Sequence, residues 1–161
     1  MASSAPLTEA QRDLNFPRLV AELAGQLPGL KVTCAVDVGW SSDMKARLQD
    51  SEGASYLLRC SSEVPAERRA AQADAMQKAA AAGMHCTLPV RFGNLPDGGS
   101  YMLQTWLEGE GLEGILSRLE PSACYELGRL AGGALRSVHK STMAPSTDLA
   151  FIKAARRIER H

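Results

Sequence analysis

The sequence predicts an α+β fold in which a five-stranded antiparallel sheet with one main helix is followed by a run of further helices. Short runs of β-forming residues recur up to residue 105 and are interrupted by one alanine-rich segment. From Leu112 onward the apolar residues follow a helical period instead. The connectors between the first three β-like runs are short, so we expect those strands to pair antiparallel.

The chain begins with a predicted helix. Apolar residues at helical spacing over 8–26 indicate it, with Thr8 as the candidate N-cap and Pro17 as a candidate break. Pro28-Gly29 ends this pattern. The five strands are predicted at 30–38, 44–49, 55–60, 88–92 and 100–105, with a hairpin loop at 94–99 between the last two.

The main helix is predicted over 66–82, where strong helix formers follow Pro65 and end at Gly83. Further helices are predicted at 112–119, from Pro121 with an apolar stripe over 125–139, and from Thr147 or Asp148 to the end. The last pattern has no C-cap or stop signal, so we expect the polypeptide to continue beyond residue 161.

Composition restricts the class of protein. With 161 residues, the chain has room for one domain or two small lobes. Its 18 basic and 18 acidic residues cancel, which argues against nucleic acid as the main partner. The longest uncharged stretch, 79–90, is far shorter than the roughly 20 apolar residues of a membrane-spanning helix. Because the N-terminus also lacks the layout of a secretory signal, we expect a cytoplasmic protein.

The four cysteines, Cys34, Cys60, Cys86 and Cys124, show no C-x-x-C spacing. We interpret them as reduced, small apolar residues. A disulfide framework is the alternative, which the absence of a secretion signal disfavours.

Several short strings carry a resemblance to a known family. They are Gly39-Trp40-Ser41-Ser42-Asp43, Tyr56-Leu57-Leu58-Arg59, the segment 83–93, Tyr101-Met102-Leu103 with Trp106-Leu107-Glu108-Gly109-Glu110, and Leu135-Arg136-Ser137-Val138-His139. In this order they resemble the aminoglycoside phosphotransferase family, small-molecule members of the protein-kinase-like superfamily, over about residues 30–161. The resemblance implies a kinase-like N-lobe followed by the first helices of an incomplete helical C-lobe.

The resemblance implies that ATP binds between the sheet and a hinge. Ser41 and Ser42 would approach the β- and γ-phosphates, and Arg59 would face the α- and β-phosphates, as a fixed charge in a cleft of lowered dielectric can. The alternatives are an ordinary polar turn for the two serines and a solvent-exposed arginine on an edge strand.

Kinase-like enzymes hold that basic residue with a helix carboxylate, and the matching position here is Gln72. Gln72 shares a helical stripe with Met76 and Ala79, so we expect it to point inward and to contact Arg59 without an ion pair. Asp74 lies on the solvated side and is expected to pair with Lys78 at i+4.

The hinge is placed by resemblance at 105–110, between an N-terminal nucleotide-binding lobe at 1–104 and the start of a C-terminal lobe at 111–161. The carbonyl of Thr105 and the N–H of Leu107 would read the adenine edge, which needs one acceptor and one donor. The alternative is a plain strand end that runs into a turn.

Phosphoryl transfer in the family needs a His-Gly-Asp loop and a later metal-binding Asp, and neither motif occurs in the 161 residues. We therefore expect the N-terminal part of an ATP-dependent small-molecule O-phosphotransferase, inactive by itself, with the ligands of Mg²⁺ beyond residue 161. Its partners would be a nucleotide and a small hydroxyl-bearing substrate, without nucleic acid or membrane. The alternatives are a non-catalytic nucleotide- or partner-binding module that ends at residue 161, and a plain structural α+β domain.

Overall fold

The computed structural model describes residues 16–38 and 41–142 and contains one antiparallel sheet of five strands in the order β1-β2-β3-β5-β4. The elements are α1 (Phe16–Ala24), β1 (Lys31–Ala35), β2 (Met44–Gln49), β3 (Ser55–Ser61), α2 (Ala66–Ala81), β4 (Pro89–Asn94), β5 (Ser100–Thr105), α3 (Leu112–Ile115), a 3₁₀ turn (Leu116–Arg118) and α4 (Pro121–Thr142). The predicted α+β fold, with its five-stranded antiparallel sheet and its main helix, is confirmed.

One face of the sheet, here called the outer face, packs against α1. Because side chains alternate along a strand, every second residue of β2, β3 and β5 points to this side. The residues that form the buried core there are Ala46, Leu48, Leu58, Cys60, Tyr101 and Leu103 from the sheet, with Phe16, Leu19, Val20 and Leu23 from α1. The apolar residues that the sequence placed at helical spacing in α1, such as Leu19, Val20 and Leu23, are therefore the ones that face the core. Pro17 lies in the first turn of the helix, where proline is tolerated.

The opposite face, here called the inner face, is partly covered by α2, which contacts β4 and β5. Arg69, Ala73 and Ala79 are the buried residues of this helix. The helix ends in a Schellman arrangement: the Gly83 N–H donates to the Ala80 carbonyl at 2.9 Å and the Met84 N–H to the Ala79 carbonyl at 3.1 Å. Gly83 has φ +83°, which favours glycine and explains the stop that the sequence predicted.

Some predicted bounds are wrong. β1 ends at Ala35 rather than at residue 38, although the Val36 N–H still donates to the Lys45 carbonyl at 3.0 Å. β4 lies at Pro89–Asn94 rather than at 88–92, because the hairpin to β5 is tighter than predicted. Thr8 and the start of the predicted first helix lie outside the described residues.

The segment after the sheet is helical, as predicted, but the run at 112–119 is not one helix. It divides into α3 and the 3₁₀ turn, since a short run that contains Gly114 has too few residues to sustain an α-helix. Pro121 starts α4 as predicted, and α4 contacts α2. Leu130 and Leu135 of its predicted apolar stripe are 60% and 56% exposed. The helix predicted near residue 147 lies outside the described residues.

Two further findings concern the cysteines and the length of the helices. All four cysteines are free thiols, and burial raises the pKa of the Cys60 thiol to about 12. Within the described ranges, no helix has the length and apolar character needed to span a bilayer.

Candidate functional site

The inner face of the sheet collects positive charge. Lys45 and Arg47 alternate with the core residues of β2, and Arg59 alternates with those of β3. In the register of the sheet, Arg59 lies between Lys45 on β2 and Met102 on β5. Three basic side chains therefore leave the same side of neighbouring strands.

Arg59 is held by Asp43, the residue that directly precedes β2. Its Nε donates to Asp43 Oδ2 at 2.7 Å, and its Nη2 lies 2.5 Å from the same oxygen. The side chain of Asp43 is 4% exposed, whereas that of Arg59 keeps 24% of its surface in solvent. Arg59 thus joins a buried carboxylate on one side to solvent on the other, which rules out the alternative of a freely solvated arginine on an edge strand.

A second arginine binds the same carboxylate from α2. Arg69 Nη2 donates to Asp43 Oδ1 at 2.8 Å and Nη1 donates to Oδ2 at 3.2 Å, a two-pronged contact of the kind that planar guanidinium groups favour. Its Nε donates to Ser100 Oγ at 3.3 Å. With 1% of its side chain exposed, Arg69 is a fully buried cation whose charge is balanced by Asp43.

Gln72 belongs to this cluster, but its partner differs from the expected one. Its Oε1 accepts a hydrogen bond from Arg69 Nη1 at 3.1 Å, one turn earlier in α2. The expected contact with Arg59 is therefore wrong: Gln72 is bound by Arg69, and Arg59 is bound by Asp43. The expectation that Asp74 pairs with Lys78 on the solvated side is confirmed, at 2.6 Å.

The charge state of Asp43 is set by opposing effects. Burial raises the pKa of its carboxyl, but the hydrogen bond from Arg69 and the charges of Arg59 and Arg69 outweigh burial. The net pKa lies below the ordinary value of 3.8, so Asp43 is ionised at neutral pH. Two guanidinium groups around one carboxylate leave the cluster with an excess of positive charge.

The loop before Asp43 contains the two predicted phosphate-binding serines. Ser41 and Ser42 are both exposed and are followed at once by the buried Asp43. Lys45, two residues later, donates from Nζ to the Val38 carbonyl at 2.7 Å and so links the two ends of the loop. Gly39 and Trp40 lie outside the described residues.

The predicted hinge follows the end of β5. The Thr105 N–H donates to the Leu88 carbonyl at 2.8 Å, and the Leu88 N–H donates to Thr105 Oγ1 at 2.8 Å. In a regular antiparallel ladder the Thr105 carbonyl would accept the hydrogen bond from the Leu88 N–H. Here the Thr105 hydroxyl accepts that bond instead. The next N–H, of Trp106, donates to the Ser55 carbonyl at 3.1 Å, and Leu107 is exposed.

A second cluster lies where β2 meets the hinge. The Arg47 guanidinium lies 4.6 Å from the centroid of the Trp106 ring, a cation–π distance. Its Nη2 donates to Ser55 Oγ at 3.0 Å and to Glu108 Oε1 at 2.5 Å. Arg47 therefore ties the middle of the sheet to the predicted hinge.

Two buried polar atoms near the hinge have no hydrogen-bond partner within the part of the chain that the structure describes: Gln104 Oε1 and Trp106 Nε1. Such atoms are uncommon in folded proteins and call for a partner such as a water or a ligand. One is an acceptor and the other a donor, and both belong to the strand end where adenine recognition is predicted.

Sequence reasoning missed Asp43, Arg69, Lys45 and Arg47 as parts of the site. A signal for Lys45 and Arg47 exists, because they alternate with Met44, Ala46 and Leu48 and must leave the opposite face from that core. Asp43 and Arg69 carry no such signal, since only the pairing of β2 with β3 and the packing of α2 bring them together. Among the described residues, no group of three or more His, Cys, Asp or Glu is arranged to hold a metal ion.

An antiparallel sheet of this order, with a helix on its inner face and a linker after its last strand, has the architecture of a kinase-like N-lobe. Residues 33–160 match the phosphotransferase enzyme family, and the chain belongs to that family. The resemblance found in the sequence is thereby confirmed. No curated protein matches the chain.

Proposed function

We propose that this chain binds ATP on the inner face of its sheet and supplies the nucleotide site of a phosphotransferase that acts on hydroxyl groups of small molecules. The phosphates lie against Ser41, Ser42 and Arg59, and the adenine lies against Thr105 and Leu107. The observation that carries the proposal is the position of Arg59, which binds Asp43 at the end of the serine loop and lies opposite Met102 on the strand that leads into the hinge.

The phosphate end is supported by charge. Asp43 engages Nε and Nη2 of Arg59, and Nη1 takes no part in those contacts. A guanidinium that is fixed on one edge and reaches solvent on the other suits a phosphate oxygen, because charge-assisted hydrogen bonds are strongest when the donor is already oriented. Lys45 adds positive potential on the same face, whereas the charge of Arg47 is balanced by Glu108.

The base end is supported by the hydrogen bonding of Thr105. Because the Leu88 N–H is satisfied by the Thr105 hydroxyl, the Thr105 carbonyl is not needed for that bond of the ladder. The buried and unpartnered Gln104 Oε1 and Trp106 Nε1 belong to the same strand end. From Met102, the neighbour of Arg59, to Thr105 the strand covers about 10 Å, a span that the sugar and phosphates of a nucleotide bridge.

The transfer step itself needs residues that the sequence does not contain. When bound, Mg²⁺ would neutralise part of the negative charge of the phosphates. We expect its ligands and the catalytic Asp in polypeptide that follows residue 161, so that residues 1–104 act as the nucleotide lobe, 105–110 as the hinge and 111–161 as the start of a second lobe. We place the protein in the cytoplasm, the compartment that supplies ATP.

Calorimetric titration of the 161-residue chain with Mg·ATP and with adenosine tests the proposal. We expect ATP to bind more tightly than adenosine, and Arg59→Met to weaken ATP binding about tenfold while it leaves adenosine within about twofold. Arg68→Met is the matched control, because it removes an exposed arginine of α2 that lies outside the cluster. A folded chain that binds neither ligand would refute the proposal.

The assignment of transfer activity to a longer protein has its own test. Reading the gene past codon 161 should show an open frame that contains a His-Gly-Asp loop and a later Asp motif. A stop codon at that point would instead favour a non-catalytic nucleotide- or partner-binding module. A folded chain without affinity for ATP would point to a plain structural domain.

A further inference from the structure

Asp43 is the only carboxylate that the described residues place against either Arg59 or Arg69. It follows the serine loop, binds β3 through Arg59 and binds α2 through Arg69. One buried side chain therefore joins three elements of the proposed nucleotide site. Each guanidinium uses two nitrogens in the contact, which fixes the plane of the group as well as its position.

Arg69 itself cannot reach a ligand in the cleft, because only 1% of its side chain is exposed. Its remaining contacts are internal: Ser100 Oγ on β5 accepts from Nε, and Gln72 Oε1 on α2 accepts from Nη1. Among these contacts, only the one with Asp43 leads on to Arg59, so the contact route from Arg69 to the nucleotide runs through Asp43. A shift of α2 would move Arg69, and Asp43 would follow it or lose one of its two partners.

We propose that Arg69 is a positioning residue for nucleotide binding: it fixes Asp43, and Asp43 orients Arg59 toward the phosphates, so that the placement of α2 sets the affinity of the site. This inference rests on the proposed ATP site. It predicts selective loss of affinity for phosphorylated ligands, because the chain of contacts ends at Arg59 and does not extend to the hinge.

The test uses the full 161-residue chain and titrates Mg·ATP and adenosine against Arg69→Met, Arg69→Lys and the control Arg68→Met. We expect Arg69→Met to weaken ATP binding about five- to tenfold and to change adenosine binding less than about twofold. Arg69→Lys should also lose at least about threefold, because an ammonium keeps the charge but not the planar fork. Arg68→Met should bind both ligands like the unmodified chain.

Arg69→Lys separates positioning from simple electrostatics. If the lysine variant binds ATP like the unmodified chain, the distant positive charge alone accounts for the effect and the proposal is overturned. Equal losses of ATP and adenosine would also overturn it, since they indicate general damage to the fold. Circular dichroism and thermal unfolding of each variant show which proteins are folded.

If the Arg69 variants do not fold, Gln72→Ala replaces them in the binding test. Gln72 is only half-buried and holds Arg69 through one hydrogen bond, so its removal should disturb the fold less. The expected loss of ATP affinity is then about two- to threefold. An unchanged affinity in folded Gln72→Ala would count against the proposal.

A readout without nucleotide keeps this inference separate from the proposed function. Hydrogen exchange of the Arg59 Nε–H, followed by ¹⁵N NMR, should be slow in the unmodified chain and faster in Arg69→Met or Gln72→Ala. If ATP does not bind but this exchange accelerates, the proposed function fails, whereas the part of the inference that Arg69 fixes Arg59 through Asp43 holds. Exchange that is the same in all folded variants would refute the positioning role.

Discussion

The two faces of the sheet are built from alternate residues of the same strands, yet they are stabilised in different ways. On the outer face, Leu58 and Leu103 are fully buried against α1, and removal of apolar surface from water supplies the stabilisation. That interaction has no direction, so neighbouring apolar residues of similar size satisfy it.

On the inner face, charged side chains from β3, from α2 and from the residue before β2 meet, and their burial is unfavourable unless each charge finds its partner. Arg69 and Asp43 are as well buried as much of the core, but their contribution depends on specific donor and acceptor atoms. The comparison indicates where the fold tolerates change. The outer face should tolerate conservative apolar substitution, whereas the inner face should respond sharply to the loss of a single charge.

The largest expected effect is that of Asp43→Ala. It leaves Arg69 buried without its counter-ion, which we expect to lower the free energy of unfolding by about 3–5 kcal/mol. Urea unfolding measures this loss.

The double variant Asp43→Ala/Arg69→Met is the control, because it removes both charges together. It should recover part of the loss, since replacement of a whole buried pair by apolar groups is often close to neutral. Additive losses in the double variant would show that the pair is not energetically coupled.

The outer face is tested by Leu58→Ala. Leu58 is completely buried in the core cluster, so we expect a loss of about 2–5 kcal/mol from lost burial and the cavity that remains. Leu58→Met, which nearly conserves volume, should cost less than about 1.5 kcal/mol. A Leu58→Met variant as unstable as Leu58→Ala would contradict the view that this face is specified by apolar volume.

The same contrast explains how far the sequence could be interpreted. The bounds of β2 and β5 were predicted as they stand in the structure, because a run of β-forming residues bounded by turn residues is a local pattern. Arg59 was identified as a site residue from a resemblance, and alternation with Leu58 and Cys60 places it on the inner face. These features depend on neighbours along the chain.

The partner of Arg59 could not be predicted in this way. Asp43 is 16 residues away along the chain, and Arg69 is 26 residues from Asp43. Their convergence depends on the register of β2 against β3 and on how α2 is seated, neither of which leaves a local pattern. The expected contact between Gln72 and Arg59 was wrong for the same reason: a helix position was matched without knowledge of which carboxylate the sheet brings near.

The pH dependence of stability is a further test of the difference between the two faces, because among the described residues only the inner face contains a buried carboxylate. The arginines hold the folded pKa of Asp43 below its ordinary value of 3.8, so its contribution to stability is complete above that value and is lost as pH falls through the folded pKa. The difference in unfolding free energy between the unmodified chain and Asp43→Asn should stay constant from pH 7 to 5 and narrow below about pH 4. Urea titrations at each pH measure it.

Asp50 also has a lowered pKa, chiefly because the Tyr56 hydroxyl donates to it. Since the unmodified chain and Asp43→Asn both contain Asp50, its contribution cancels in the difference between their unfolding free energies. A difference that widens at low pH would mean that Asp43 is not ionised in the folded chain. Leu58→Ala supplies the control from the outer face, since its effect should not depend on pH in this range.

The smallest expected effect is that of Tyr56→Phe. The hydroxyl of Tyr56 donates to Asp50 Oδ2 at 2.8 Å in the turn between β2 and β3, while its ring packs against the outer core. Phenylalanine keeps the ring and removes only the hydroxyl, so stability should fall much less than in Leu58→Ala.

The pKa of Asp50 should rise toward 3.8, which ¹³C NMR of its carboxyl measures. Tyr125→Phe, at a tyrosine that is 72% exposed on α4, is the matched control and should leave that pKa unchanged. If Asp50 titrates in Tyr56→Phe as it does in the unmodified chain, backbone N–H groups such as those of Glu52 and Ala54 set its pKa. Side-chain hydrogen bonds would then matter less at this edge than they do around Asp43.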